Sequence, residues 1–287
     1  MSKIILNGKF EAEKIIKALK HKNIKAKNKI SLAVVLIGNN SASKLYVSLK
    51  EKKAAEIGVG FKKFLLPATV SEKKVLNLID KLNKDKKITG ILVQLPLPKK
   101  FNTEKIISAI DVKKDVDGFK TREHENTRTR EQIIPPTIQA ILHLIKMTKI
   151  NLAGKKAIIL ANSFEFAEPL TKELEKNKIL VKIFVGAIHE LPLQTAMLNV
   201  FDIIIIALGK KHFLKPEMIK KNAVIIDVGI NRIGKKIFGD VHPDCFKKLK
   251  YISPVPGGVG PLTVAYLFKN LLQLNCRGNS RHFGGQA

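Results

Sequence analysis

Tryptophan is absent from this chain of 287 residues, tyrosine occurs three times and cysteine only twice. Cys245 and Cys276 have no metal-ligand spacing around them, which excludes a disulfide framework and a cysteine-built zinc site and fits a reducing compartment. No apolar run approaches the roughly 20 residues that a membrane-spanning helix needs. The opening stretch, MSKIILNGKF, is too short in apolar residues for a secretory signal and has no small-residue cleavage pattern, so the expected compartment is the cytoplasm. Acidic residues are scarce as well: 24 stand against 52 basic ones, for a net charge of +28. Such an excess ordinarily suggests a phosphate-backbone partner. Here it is almost all lysine, scattered in pairs such as Lys62-Lys63, Lys73-Lys74, Lys113-Lys114 and Lys210-Lys211. No arginine-rich arm or aromatic-interleaved basic stripe accompanies it, so no specific nucleic-acid partner is expected. The lysines read as solvated faces able to steer an anionic ligand, with a basic nucleic-acid-binding protein as the non-enzymatic alternative.

What is present is an ordinary globular balance, 45% hydrophobic and 26% charged, in a chain long enough for two domains. Helical periodicity at 9–20 is followed by a β-branched strand at 31–37, a helix from 41, a strand at 60–66, a helix at 71–83 capped by Ser71, and a strand from Gly90 that two prolines stop. Residues 103–110 read as a helix and 111–119 as a loop. The charged stretch 120–132, KTREHENTRTREQ, reads as a linker or exposed loop. A second alternation follows, with a helix to about 147, strands at 155–160, 179–185, 202–208 and 223–228, and a helix at 166–177. Strands alternating with helices predict an α/β fold with a mostly parallel sheet in two domains, the second Rossmann-like.

Four places carry candidate chemistry. On the helix opening SASKLYVSLKEKK, Ser43, Tyr46 and Lys50 stand at i, i+3 and i+7 and share a face, where a phenol and an amine can hold a planar ligand and move a proton if the lysine is desolvated. The same spacing on a surface helix is commonly packing alone. Gln94 falls at the carboxyl end of a buried strand, where open α/β sheets collect ligands, and it is equally readable as a capped strand end. Asp117, before Gly118, is a carboxylate for a donor-rich ligand or a turn aspartate. Near the C-terminus, PVPGGVGP precedes a helix at 262–273; its prolines and glycines suit a backbone laid against a flat ligand. The turn after the strand at 155–160, Ala161-Asn162-Ser163-Phe164-Glu165, has no glycine where a dinucleotide fingerprint would place them.

Taken with GILVQLPLPKKFNTEKIISAID, KKDVDGF, DVGINR and GDV followed by YISPVPGGVGPLTVAYL, these segments resemble the bifunctional methylenetetrahydrofolate dehydrogenase/cyclohydrolase family, in the family's order and over nearly the whole chain. The resemblance implies a folate-binding catalytic domain at 1–136 completed by the helix at 262–274, and a Rossmann-like NAD(P)-binding domain at 137–261. It places the folate in the cleft between them and leaves 275–287 as a disordered tail. It implies NADP-dependent oxidation of 5,10-methylenetetrahydrofolate, hydrolysis of the methenyl product to 10-formyltetrahydrofolate, and a homodimer. By position, Lys50 matches the family's catalytic lysine, Tyr46 the tyrosine that packs on the folate, Gln94 the glutamine that tunes the lysine and Asp117 the carboxylate that grips the pterin. Ser43 and the backbone of Val255, Pro256, Gly257 and Gly258 would complete the folate wall. Ala161, Asn162, Ser163, Ile230 and Thr263 are the cofactor-side candidates, and no metal is implied.

The chain departs from the family in the phosphate turn, where glycines and an arginine are replaced. That predicts harder backbone approach to a pyrophosphate and no arginine partner for a 2′-phosphate, with NAD as the possible substitute. The alternative reading is therefore a cyclohydrolase, or a folate-binding protein, with an impaired dehydrogenase half. A short-chain dehydrogenase shares the tyrosine-lysine spacing, but no glycine-rich turn precedes the pair.

Overall fold

The computed structural model describes residues 4–24, 29–119, 133–186, 195–234 and 236–279, the side chains of 195–197 and 277–279 excepted. The charged stretch at 120–132 lies outside the described residues, as do 280–287 of the expected tail.

Residues SLAVVLI are buried at every position and form β2 (Ser31–Ile37), the middle strand of a parallel sheet ordered β3-β2-β4, with β3 (Gly60–Leu66) and β4 (Gly90–Val93) beside it. Continuous burial is what a parallel strand covered on both faces requires. On one face Ala33, Val35 and Ile37 meet Ile91 and Val93, and α3 (Glu72–Lys84) lays Val75, Ile79 and Leu82 across them. Period two in the strand thus meets the i, i+4, i+7 stripe of the helix. Each such side chain contributes roughly 1.5–3 kcal/mol when buried. Ser71 caps α3 through the Lys74 N–H, as its position before the apolar stripe predicts. α2 (Ser41–Ile57) is capped by Asn40, whose side chain accepts from Ser43 N at 2.9 Å. It runs from the expected start at 41 to Ile57, stopping where Gly58 adopts the left-handed conformation. α4 (Thr103–Ser108) completes this region.

A second sheet holds six parallel strands in the order β1-β11-β8-β7-β5-β6: β1 (Ile4–Ile5), β5 (Lys156–Ala161), β6 (Leu180–Val185), β7 (Ile203–Ala207), β8 (Val224–Asp227) and β11 (Tyr251–Ile252). Its core lines up Ile158, Leu160, Ile204, Ile206, Ile225 and Ile252. The strand order reverses at β5, with β6 on one side and β7 on the other, which creates a switch point beyond their carboxyl ends. α5 (Pro136–Met147), α6 (Phe164–Glu175) and the short α7 (Cys245–Lys248) accompany the sheet, and an antiparallel hairpin of β9 (Asn231–Ile233) and β10 (Lys236–Phe238) follows β8.

The chain divides into two compact units, Met1–Ala12 with Thr137–Thr263, and Glu13–Pro136 with Val264–Ala287. The division falls inside α1 (Gly8–Ile24) and α8 (Val259–Asn279). Two sequence expectations differ from this. Residues 4–12 of the domain expected at 1–136 fall instead with the six-stranded sheet, because β1 pairs with β11 (Ile4↔Tyr251, Ile5↔Ile252), a pairing no local pattern announces. And α8 begins three residues before 262 and continues through Asn275 to Asn279, so the first part of the expected tail is helix.

Candidate active site

In the unit built on β2, α2 turns Ser43, Val47, Ala54 and Ile57 into the core and leaves Tyr46 and Lys50 half-buried, one turn apart, along the margin of that stripe. Gln94 follows β4 directly; its backbone N–H donates to Val35 O at 2.9 Å, which holds it in line with the sheet. Its side-chain amide donates to Leu95 O at 2.7 Å, and this fixes the orientation in which the carbonyl oxygen Oε1 is presented. Lys50 Nζ donates to that oxygen at 2.8 Å. Burial lowers the Lys50 pKa from its ordinary value, opposed by the negative field of Asp117, so the amine is biased toward its neutral form. Burial also raises the Tyr46 pKa, which keeps it a neutral phenol.

Asp117 stands in a tight turn made by a neighbour whose part the sequence did not disclose. Asp115, buried, accepts from the backbone N–H of Asp117 at 3.1 Å and of Gly118 at 3.0 Å. Gly118 has φ +70°, and a Cβ there would lie 2.3 Å from Ile133 O, so the turn admits only glycine. The signal for Asp115 is present as an Asp-x-Asp-Gly turn, but in one dimension nothing sets it apart from the other acids of the loop at 111–119. Burial pushes the Asp117 carboxyl up to about 7, with Lys50 pulling it down and Asp115 pushing further up. The Ser43 hydroxyl is buried and has no hydrogen-bond partner among the described residues. Lys50, Gln94, Tyr46, Asp117 and Ser43 thus all lie in one unit, with a desolvated amine, an oriented amide, a phenol, a carboxylate and an unspent hydroxyl.

The other candidates belong to the unit built on the six-stranded sheet. Ala161 ends β5, buried, and Asn162 and Ser163 form the turn into α6. Asn162 Nδ2 donates to Leu208 O at 2.6 Å, across the switch point to the residue after β7. Ser163 is the N-cap residue in extended conformation and makes no side-chain cap bond, so the first N–H groups of α6 are not taken by it. Ile230 is exposed beyond β8, and Thr263 donates to Val259 O at 3.1 Å within α8. Val255, Pro256, Gly257 and Gly258 fall in this unit too. Gly258 has a packing reason: a Cβ on Gly8 would come within 1.9 Å of Gly258 O, and Lys9 N donates to Gly257 O at 2.8 Å. Among the described residues no group of three or more His, Cys, Asp or Glu could hold a metal ion, and no helix is long and apolar enough to cross a membrane.

Residues 6–117 match the family described as "Tetrahydrofolate dehydrogenase/cyclohydrolase, catalytic domain", and residues 135–279 match "Tetrahydrofolate dehydrogenase/cyclohydrolase, NAD(P)-binding domain". The "Bifunctional protein FolD" of Geotalea daltonii is 42% identical over 249 residues, covering 84% of this chain and 86% of the relative. Among solved structures, the bifunctional methylenetetrahydrofolate dehydrogenase/cyclohydrolase of Campylobacter jejuni superposes with a TM-score of 0.89 at 34% identity, over 96% of this chain and 100% of that one. The Trypanosoma brucei methylenetetrahydrofolate dehydrogenase-cyclohydrolase, solved with NADP and an inhibitor, gives 0.90 at 28% identity, over 97% of this chain and 99% of that one.

Proposed function

Since the chain belongs to the tetrahydrofolate dehydrogenase/cyclohydrolase family, we propose that Lys50, Gln94, Tyr46 and Asp117 carry the folate half of its chemistry. The protein is a bifunctional enzyme of one-carbon metabolism. It oxidises 5,10-methylenetetrahydrofolate with NADP and hydrolyses the methenyl product to 10-formyltetrahydrofolate. The observation that carries the assignment of residues is the 2.8 Å bond from Lys50 Nζ to Gln94 Oε1 in a setting that lowers the lysine's pKa.

Hydrolysis adds water to the electrophilic methenyl carbon, and the water must lose a proton as its oxygen bonds. A neutral Lys50 takes that proton, and as the carbon's bond to N5 breaks N5 takes a proton back, leaving the formyl group on N10, while Gln94, oriented by its own bond to Leu95 O, keeps the amine directed and accepts its N–H. Asp117 offers an acceptor to the pterin's amino and ring N–H groups, and Tyr46 supplies a flat surface beside the lysine. The buried, unpartnered Ser43 hydroxyl is a further polar group available to the folate on the same helix. Asp115 is the residue that holds Asp117 in place.

The dinucleotide half fits NADP in its architecture despite its turn. The reversal of strand order at β5 and an α6 N-terminus free of a side-chain cap provide the backbone donors a pyrophosphate takes. Ala161, Asn162, Ser163, Ile230 and Thr263 are the residues proposed to hold it. NADP, when bound, supplies the hydride acceptor. The same reading includes a homodimer and a cytoplasmic enzyme. Strand β6 ends its sheet's order with Leu180 and Ile183 exposed, an edge that fits a second copy, and neither Cys245 nor Cys276 is in a disulfide among the described residues. One spectrophotometric experiment tests the whole: formation of methenyltetrahydrofolate with NADP and with NAD, followed by its hydrolysis. Hydrolysis without reduction of either dinucleotide would replace this reading with that of a cyclohydrolase alone. Sedimentation at micromolar protein tests the dimer.

A further inference from the structure

Two buried aspartates stand behind the dinucleotide half, and neither belongs to the residues proposed to touch NADP. Asp227 ends β8, and its carboxylate accepts three backbone N–H groups, from Gly229 at 3.0 Å, Asp240 at 3.1 Å and Val241 at 3.0 Å. Asp240, fully buried after β10, accepts at Oδ2 from the backbone N–H of Leu208 at 2.7 Å and of Gly209 at 3.0 Å, and at Oδ1 from the Asn231 amide at 2.8 Å. The glycines of DVGIN and GDV make room for these carboxylates. A Cβ on Gly229 would lie 2.1 Å from the Asp240 carboxyl carbon, and one on Gly239 would lie 1.9 Å from Asp227 Oδ2.

The bonds lead somewhere. Leu208 and Gly209 are the first residues beyond β7, one lip of the switch point, and the segment after them is fastened to the same place by His212 N to Gly239 O at 3.2 Å and Leu214 N to Asp240 O at 2.9 Å. Leu208 in turn receives the Asn162 amide on its carbonyl oxygen, and Asn162 belongs to the opposite lip. A carboxylate taking two consecutive backbone N–H groups makes charge-assisted bonds, among the strongest fixings available to a loop. Where the turn lacks the glycines that would let a pyrophosphate settle by backbone adjustment, affinity depends more on lips that are already in position.

We propose that Asp240 is a positioning residue for the dinucleotide, fixing the Leu208–Gly209 amides and, through the Leu208 carbonyl, the Asn162 turn, so that both lips of the switch point are held as one platform. The inference rests on the reading that this half binds NADP. In the full-length protein, Asp240→Asn keeps the shape and replaces an acceptor by an N–H₂ group that faces donors. NADP binding measured by calorimetry is expected to weaken about tenfold. The KM for NADP should rise in proportion, while hydrolysis of methenyltetrahydrofolate proceeds at the parent rate. Without NADP, hydrogen exchange at the Leu208 and Gly209 amides should quicken. Asn231→Ala, which removes the donor to the other Asp240 oxygen and is not among the residues proposed to touch NADP, is expected to weaken NADP binding in the same direction by less, and it decides the matter if Asp240→Asn does not fold. Parent-like NADP affinity in the folded variants overturns the inference, as does an equal loss of NADP binding and hydrolysis, which would mark a merely structural role. If the parent itself binds no NADP, the reading of this half fails, and the inference falls with it for that separate reason.

Discussion

Asp117, in the turn before Gly118, and Asp227, the last residue of β8, share one property: burial pushes both carboxyls up to about 7. Their surroundings are otherwise opposite. Asp227 is met by three backbone N–H groups at 3.0–3.1 Å, and its acceptor capacity is spent on holding residues 229, 240 and 241. The Asp117 carboxylate accepts no hydrogen bond among the described residues and feels only the Lys50 field in its favour. The lysines divide in the same way. Lys114 spends its ammonium on Leu82 O at 2.8 Å and Asp85 O at 2.7 Å, closing the end of α3, whereas Lys50 has one amide oxygen as its partner. A perturbed pKa therefore does not by itself distinguish scaffold from site. What distinguishes them is whether the group's bonding capacity is already used inside the protein, since an unspent buried group lowers stability unless a ligand completes it.

The contrast is broken most severely at Lys50. Lys50→Ala is expected to lower hydrolysis of methenyltetrahydrofolate about 10³-fold, the usual scale for removing a general base, with urea denaturation close to the parent's because the side chain stands at the margin of the core stripe. Parent-rate hydrolysis would remove the lysine from the mechanism. Asp227→Asn tests the spent carboxylate. It turns an N–H₂ group toward backbone donors and should cost about 3 kcal/mol in chemical denaturation. A cost near zero would show that the three bonds do not hold the fold. Asp117→Asn should do the reverse, leaving stability at least equal to the parent's and raising the KM for folate about tenfold through loss of a charged acceptor. It also carries a sign that can be read in the pH profile. The Asp117 charge raises the Lys50 pKa, so its removal lowers that pKa further, and the acidic limb of hydrolysis should move to lower pH. A limb that stays in place would separate the two residues.

Much of this arrangement is legible in the residues themselves. β2 spans the β-branched run that Gly38 closes, β3 spans the expected strand at 60–66, and the helical spacing of Tyr46 and Lys50 is enough to put them side by side. Gln94 is found because two prolines announce the end of β4. What escapes the sequence depends on distant partners. β1 is two residues long and exists because β11 offers it an edge; the β9-β10 hairpin is three residues a side and too short for any period to register. Asp115 and Asp240 were hidden for another reason. An acid that accepts backbone N–H groups looks, in one dimension, like an acid in a polar loop, and only the fold reveals which donors converge on it. Gly229 and Gly239 stand in the sequence as members of a motif, and their physical reason is the space that the Asp240 and Asp227 carboxylates occupy.

The finest distinction between the two aspartates lies in the pH dependence of stability. An ordinary aspartate in the unfolded chain titrates near pH ~3.9, and both of these titrate at about 7 when folded. Between those limits the folded protein binds protons that the unfolded chain has released, so stability falls as pH rises from about 4 to about 7 and levels off above. Asp117→Asn removes one of the two contributions without disturbing the bonds that Asp227 makes. Its unfolding free energy, followed by urea titration across that range, should therefore decline less steeply than the parent's, with the curves converging at the acid end where Asp117 is protonated in both states. Adding folate to the parent should flatten its curve in the same sense, because a ligand that donates to the Asp117 carboxylate favours its ionised form and brings its titration back toward that of the unfolded chain. The Asp227 contribution, already fixed by three internal donors, should not respond. If folate leaves the parent's slope unchanged, then Asp117 is as closed to ligand as Asp227, and the difference between a spent and an unspent carboxylate is not what marks this site.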